Sequence, residues 1–275
     1  MDYLIEAKKL LNQEYREKYA LAHTDYQKAF MDEKIKHSYQ VLGAGNYLLK
    51  HEQYFSCCSR EEINYYQAIV LLHDICRFYE IVEKEKGHQI DHGVCSAEFL
   101  ENVNLFNRAD AILSIKHHGH LIEKLYEDEC FLKLSAPERA HVEKVSFLVR
   151  DADKIANLYL LSLDFDKIER IFFVLNDSHD SLCKVVSPKI LDDFMAHHSV
   201  NKKNVKSFAD HALMILAWLY DLNYHSSFVF LQKLDIINKL CVIFSKFWRK
   251  EDCCIFQNEI IKYVQERLND KKEGA

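Results

Sequence analysis

Turn-making residues are scarce in this chain, with 2 prolines and 6 glycines among 275 residues. Tight turns must be few and the elements between them long. That argues against a sandwich or barrel, which needs a turn every few residues, and together with helical periodicity along the chain it predicts an all-α fold. Hydrophobic residues make up 49 % and charged residues 28 %, as in a soluble protein with a large buried core. Length alone permits one large domain or two small ones.

Periodicity agrees with helices throughout. Residues 3–21 carry Leu4, Leu10, Leu11, Tyr15 and Tyr19 among many charges, the pattern of an exposed amphipathic helix. Over residues 35–49, one stripe reads His37, Val41, Ala44 and Leu48, so His37 points with a core-facing face. Residues 63–78 are apolar nearly all round and predict one buried central helix. A loop is expected near 83–89, followed by a helix over 92–103 with Asp91 as its N-cap. Further helices are expected over 108–124, 137–161 (opened by Ser135 and Pro137) and 164–175. Residues 176–188 read as a connection, two or three helices then cover 192–268, and the final residues are expected to fray.

The net charge of −6 gives no basic footprint for an extended nucleic-acid surface. A small anion remains compatible, because a metal and a few local cations can outweigh the global sign. The 9 cysteines are odd in number and fit no CxxC pair. They read as reduced and mostly buried, and not as zinc ligands. The opening MDYLIEAKK lacks the apolar run of a signal peptide. The longest apolar stretches, 211–220 and 226–231, are too short to cross a bilayer. A cytoplasmic protein without membrane association is expected.

The chemistry lies in polar groups planted on helices that should be dry. His73 and Asp74 follow Ile69-Val70-Leu71-Leu72, where an ionised carboxylate without a partner is costly to desolvate. Other segments repeat the theme: KHS at His37, IDHG at His92, IKHHGH at His117 and His118, and VRDADKIANL at Asp151 and Asp153. Imidazole and carboxylate suit borderline and hard divalent ions, so helices presenting them inward describe a metal cage. Helical neighbours diverge by about 100°. His73 and Asp74 can thus flank a metal centre, with the carboxylate free to bridge two ions. By the same geometry one of His117 and His118 is expected at the surface.

The order His, His-Asp, Asp resembles the HD-domain superfamily of metal-dependent phosphohydrolases. LLHDICRF, DHG, IKHHG and VRDADKIANL resemble a bacterial subgroup of HD-domain hydrolases, as does LAWLYDLNYHSS further on; the likeness covers roughly residues 30–240. It implies a single helical HD-domain bundle: an N-terminal helix over 1–29, a metal-binding core over 30–175, and C-terminal helices over 176–275 packed on the core in the same domain. Carried over residue by residue, it implies metal ligands at His37, His73, Asp74 and Asp153. Asp153 is preferred to Asp151 because the family's ligand aspartate precedes a basic residue, here Lys154. In two-metal members extra histidines fall where His92 and His118 stand. His117, Glu33 and Asp151 are lesser candidates. The family often has Gly where this chain has Cys76, which places a thiol beside the metals. No GYP phrase follows His118, so cleavage of cyclic dinucleotides is disfavoured.

The implied chemistry is attack of metal-activated water on the phosphorus of a phosphoester, with Asp74, Arg77 and Lys154 carrying it. One or two divalent ions (Mn, Fe, Zn, Ni, Co or Mg) would serve. Arg77 and Lys154 are the expected phosphate-binding cations, ahead of Lys36 and Arg150. The expected substrate is a small phosphorylated metabolite, such as a nucleotide or cyclic nucleotide. The same ligands also suit a di-iron oxygenase, and the fold a non-catalytic binding or regulatory module.

Overall fold

The computed structural model describes residues 2–163 and 183–270, apart from the side chain of Glu85. The helix expected over 164–175, most of the connection over 176–188 and the last five residues lie outside the described residues. No strand occurs among the described residues, and the fold is all-α. Among the described residues, no helix is long and apolar enough to cross a membrane. The chain divides into two compact units, Met1–Ala156 and Asn157–Ala275.

The first unit begins with α1 (Tyr3–Ala20), capped by Asp2, and α2 (Asp25–His51). At the head of α2, Thr24 Oγ1 accepts from Gln27 N at 3.1 Å and Gln27 Oε1 accepts from Thr24 N at 3.2 Å. This reciprocal pair satisfies two amide donors that lack helical partners. Ser59 and Glu62 repeat it at the head of α3 (Arg60–Leu72), as do Ser135 and Glu138 before α9 (Ala136–Leu163). The expected stripe is buried: His37, Val41, Ala44 and Leu48 all face inward from α2.

The central helix does not run on to residue 78. It stops at Leu72, and residues 73–76 form a turn before α4 (Arg77–Glu85). Ile75 N donates to Leu72 O at 3.0 Å and Arg77 N to Asp74 O at 2.9 Å. Both bonds span three residues, and Cys76 N donates instead to the Ser96 hydroxyl at 3.1 Å. The α-helical ladder is thus replaced by tighter bonds and one side-chain acceptor.

Asp91 caps α5 (His92–Glu101) as expected, accepting from the amides of Gly93 and Val94 at 3.0 and 3.2 Å. α6 (Ala109–Lys116) ends eight residues before the expected 124. The reason lies on α9, where Arg150 is 1 % exposed. Its Nη1 donates to the carbonyls of His117, His118 and His120 at 2.8, 3.3 and 2.6 Å. A buried guanidinium thus takes carbonyls that a continuing helix would have used. Short helices α7 (Glu123–Tyr126) and α8 (Glu129–Lys133) follow.

The second unit holds α10 (Pro188–Met195), α11 (Phe208–Ala217), α12 (His225–Lys233), α13 (Ile236–Phe244) and α14 (Lys250–Asn269). Helix therefore starts at Pro188, not 192, and breaks more often than expected. One break falls at Asp235, whose φ of 52° is left-handed. Phe194, Leu213, Phe228, Leu240, Phe244 and Ile260 form the apolar interior. The cysteines carry no disulfide. Contrary to the expectation that most are buried, Cys76 and Cys241 are the buried ones, and Cys57, Cys130 and Cys254 are exposed.

Gly93 sets the approach of α5 to α6. A Cβ there would stand 2.7 Å from the Lys116 carbonyl oxygen and 3.3 Å from that of Ile115. Both are backbone atoms and cannot rotate away. Gly93→Ala should therefore push α5 off α6 and cost on the order of 1–3 kcal/mol. A drop in chemical-denaturation midpoint checks this; parent-like stability would show that the helices accommodate a methyl group.

Candidate metal centre

Five separate stretches of the first unit converge. α2 supplies His37, the turn after α3 supplies His73 and Asp74, the first residue of α5 is His92, the turn after α6 carries His118, and α9 brings Asp153. Asp153 Oδ1 lies 2.9 Å from His37 Nε2 and 3.8 Å from His73 Nε2. Asp74 Oδ2 lies 3.8 Å from His73 Nε2. Its other oxygen, Oδ1, is 3.3 Å from Nε2 of both His92 and His118. Among the described residues, three groups have potential ligand atoms within 4.8 Å of one another: His37–His73–Asp74, His73–His118–Asp153 and Asp74–His92–His118.

The break at His73 makes this possible. His73 is 0 % and Asp74 3 % exposed. Nδ1 of His73 is 2.9 Å from the Val70 carbonyl and Nδ1 of His118 is 2.7 Å from that of Ile115. A carbonyl can only accept, so in the neutral rings Nδ1 carries the proton and Nε2 offers a lone pair. This is how metal-binding histidines are commonly oriented. Two buried atoms, His73 Nε2 and Asp74 Oδ1, have no hydrogen-bond partner among the described residues. Such atoms are costly unless something fills their need. The donor set, imidazole nitrogens and carboxylate oxygens, fits a divalent ion.

The electrostatics are those of a dry, charge-dense site. Burial pushes the His73 imidazole down to about 4, although Asp74 and Asp153 oppose the shift. Burial and the neighbouring Arg77 hold His92 well below its ordinary value. Burial alone would raise the Asp74 carboxyl, but Arg77, His73 and His92 outweigh it and hold the group well below the usual carboxylate range. Asp153 is likewise held low against burial, by the hydrogen bond and charge of His37 and by His73 and His118.

The other candidates take distinct places. Arg77 Nε is 3.4 Å from Asp74 Oδ2, and its Nη1 reaches Glu80 at 2.5 Å and His92 Nδ1 at 2.9 Å. Lys154 is half-buried next to Asp153, and Asp151 is fully buried. Neither Asp151 nor Glu33 joins the clustered groups; Glu33 pairs with Lys36 at 3.0 Å. His117 and His118 are both buried, at 6 % and 4 %, where one was expected at the surface. Their rings do diverge, but His117 meets Asp128, which accepts from its Nε2 at 2.9 Å. Arg150, ranked low as a phosphate ligand, is occupied by the carbonyls around His118.

Sequence reasoning missed Lys34 and Glu80. Lys34 lies one turn before His37 on α2, and its ammonium is pushed down by burial and by Arg77, with Asp74, Asp153 and Glu80 acting the other way. Glu80 lies one turn after Arg77 and 3.5 Å from His92 Nδ1. Helical spacing from His37 and Arg77 was the available signal for each.

Residues 35–158 match the model of a family described as HD domain. No curated protein and no solved structure matches the chain.

In chelator, the His73 shift makes stability depend on pH. Below about pH 6.5 the unfolded chain takes up a proton that folded His73 refuses until about pH 4. Stability should therefore fall as pH drops through that window, by up to roughly 3 kcal/mol from this residue. Urea unfolding at several pH values measures the slope. His73→Gln should flatten it, and an equally steep slope in that variant would assign the effect to other groups.

Proposed function

Because the chain belongs, through residues 35–158, to the HD-domain superfamily, we propose that it is a metal-dependent phosphohydrolase acting on a small, nucleotide-like phosphoester in the cytoplasm. HD domains are mostly metal-dependent hydrolases. The observation that carries the reading is the buried pair His73 Nε2 and Asp74 Oδ1, unpartnered among the described residues within the His/Asp cluster.

His37, His73, Asp74 and Asp153 would hold one divalent ion. Asp74, through Oδ1, His92 and His118 would hold a second ion. A divalent ion bound there lowers the pKa of water and neutralises charge gathering on phosphoryl oxygens. The protein's own part is to fix geometry and exclude solvent. The Val70 and Ile115 carbonyls hold the His73 and His118 rings in their ligating orientation. Burial around His73 and Asp74 keeps the field of each charge strong. Lys34, Arg77 and Lys154 are the cations for substrate phosphate, Arg77 through paired donors and the lysines as mobile point charges. Electrostatic stabilisation of this kind supplies much of the rate in phosphoryl transfer.

Purified protein should contain divalent metal and hydrolyse at least one compound in a phosphoester and nucleotide screen with Mn²⁺ added. Metal-free protein inactive under every metal tried would overturn the reading. His73→Ala and Asp74→Ala should lose metal while keeping their helical content. Adjacent residues on α9 separate two roles. Asp153→Asn should lose metal and turnover together. Lys154→Ala should keep its metal and lose about ten- to a hundredfold in kcat/KM, as expected when a charge-assisted hydrogen bond is lost. Parent-like kinetics in Lys154→Ala would leave phosphate to Arg77 and Lys34.

A further inference from the structure

The imidazoles around Asp74 are not equivalent. His73 and His118 give their Nδ1 protons to backbone carbonyls and turn bare Nε2 atoms to the cluster. His92 is held the other way. Its Nδ1 lies 2.9 Å from Arg77 Nη1, and a guanidinium can only donate. Nδ1 is therefore the acceptor, and the neutral ring carries its one proton on Nε2. That same Nε2 is the atom 3.3 Å from Asp74 Oδ1, in the Asp74–His92–His118 group. A nitrogen bearing a proton has no lone pair for a cation.

A second neighbour makes the opposite demand on Nδ1. Glu80 Oε2 lies 3.5 Å from it and also takes Arg77 Nη1 at 2.5 Å. A carboxylate can only accept, so Glu80 favours a proton on Nδ1 and a bare Nε2. Arg77 and Glu80 thus compete over one ring nitrogen, and Arg77 holds it.

We propose that Arg77 gates the second cation position: its hydrogen bond to His92 locks that ring in the non-ligating tautomer until a phosphate anion draws the guanidinium away. The ring then yields its Nε2 proton to water, takes one from water on Nδ1 and keeps it there, hydrogen-bonded to Glu80. The exchange is proton-neutral and leaves Nε2 free to bind. The gate rests on the metal reading above and adds a consequence to it. A divalent ion at Asp74–His92–His118 and a phosphate anion favour each other's binding, because both favour the same arrangement of Arg77. The position at His37, His73, Asp74 and Asp153 meets Arg77 at Asp74 Oδ2, 3.4 Å from Nε, but has no bond to the His92 ring through that oxygen and does not depend on its tautomer.

The test uses the full-length protein, stripped with chelator and titrated with Mn²⁺ by electron paramagnetic resonance, with and without inorganic phosphate. Long-range nitrogen–proton NMR reports the His92 tautomer directly. In the parent we expect one tight Mn²⁺ and a second bound at least tenfold more weakly, tightened at least tenfold by phosphate. His92 should carry its proton on Nε2 before metal is added. In Arg77→Met the ring should move its proton to Nδ1, and the second Mn²⁺ should bind tightly without phosphate. In Glu80→Gln the second ion should stay weak even with phosphate. Two results overturn the gate and leave the metal reading intact: a Nδ1-protonated His92 in the parent, or phosphate tightening the second ion equally in Arg77→Met and parent. Absence of any Mn²⁺ binding overturns both.

Discussion

A carboxylate at Asp74, 3 % exposed and surrounded by helices, is the charge that the rest of the first unit is arranged to hold. Removing such a group from water costs several kcal/mol unless partners replace the lost hydration. Here they come from four directions: Arg77 from the next helical turn, His73 from the same turn, His92 from the start of α5 and His118 from the end of α6. These partners are what keep the carboxyl ionised against the push of burial. One of its oxygens still lacks a hydrogen bond among the described residues. The first unit therefore carries a need that packing alone does not meet.

Meeting that need at a point in space requires backbone that stops at defined places. α3 ends at Leu72, so His73 and Asp74 project from a turn and not along a continuing helix. α5 begins at His92 because Asp91 takes the free amides of its first turn. α6 ends at Lys116 because Arg150 claims the carbonyls that follow. Three helix ends meeting at one centre also place partial charges of the backbone near it.

Much of this was legible from composition and pattern. Scarcity of proline and glycine pointed to helices, the 37-41-44-48 stripe to an inward His37, and the polar pair after Ile-Val-Leu-Leu to a site. The cap at Asp91 could be read because a carboxylate beside an apolar run has few other roles. The breaks were harder. Nothing in the composition of residues 63–78 signals a stop at 72, since the interruption depends on Ser96, distant in sequence, accepting the Cys76 amide. The end of α6 depends in the same way on Arg150, more than thirty residues later. The burial of His117 depends on Asp128 at the cap of α8. Long-range partners decided each of these, and local periodicity contains no record of them. The Ser59–Glu62 and Ser135–Glu138 pairs are the converse case: a local signature, present in the letters, that marks where α3 and α9 begin.

Arg150 and Asp153 stand three residues apart on one face of α9, and this has a mechanical consequence. Asp153 reaches the centre directly, while Arg150 grips the peptide oxygens on either side of the His118 ring's backbone. If α9 shifts along its axis by a fraction of an ångström, it carries its own carboxylate and drags the His118 turn in the same direction. The two groups then drift in common, and the spacing between them changes less than the position of either. Jitter of the helix then disturbs the spacing within the His/Asp cluster less than the position of either group, as common-mode noise is rejected by a differential pair.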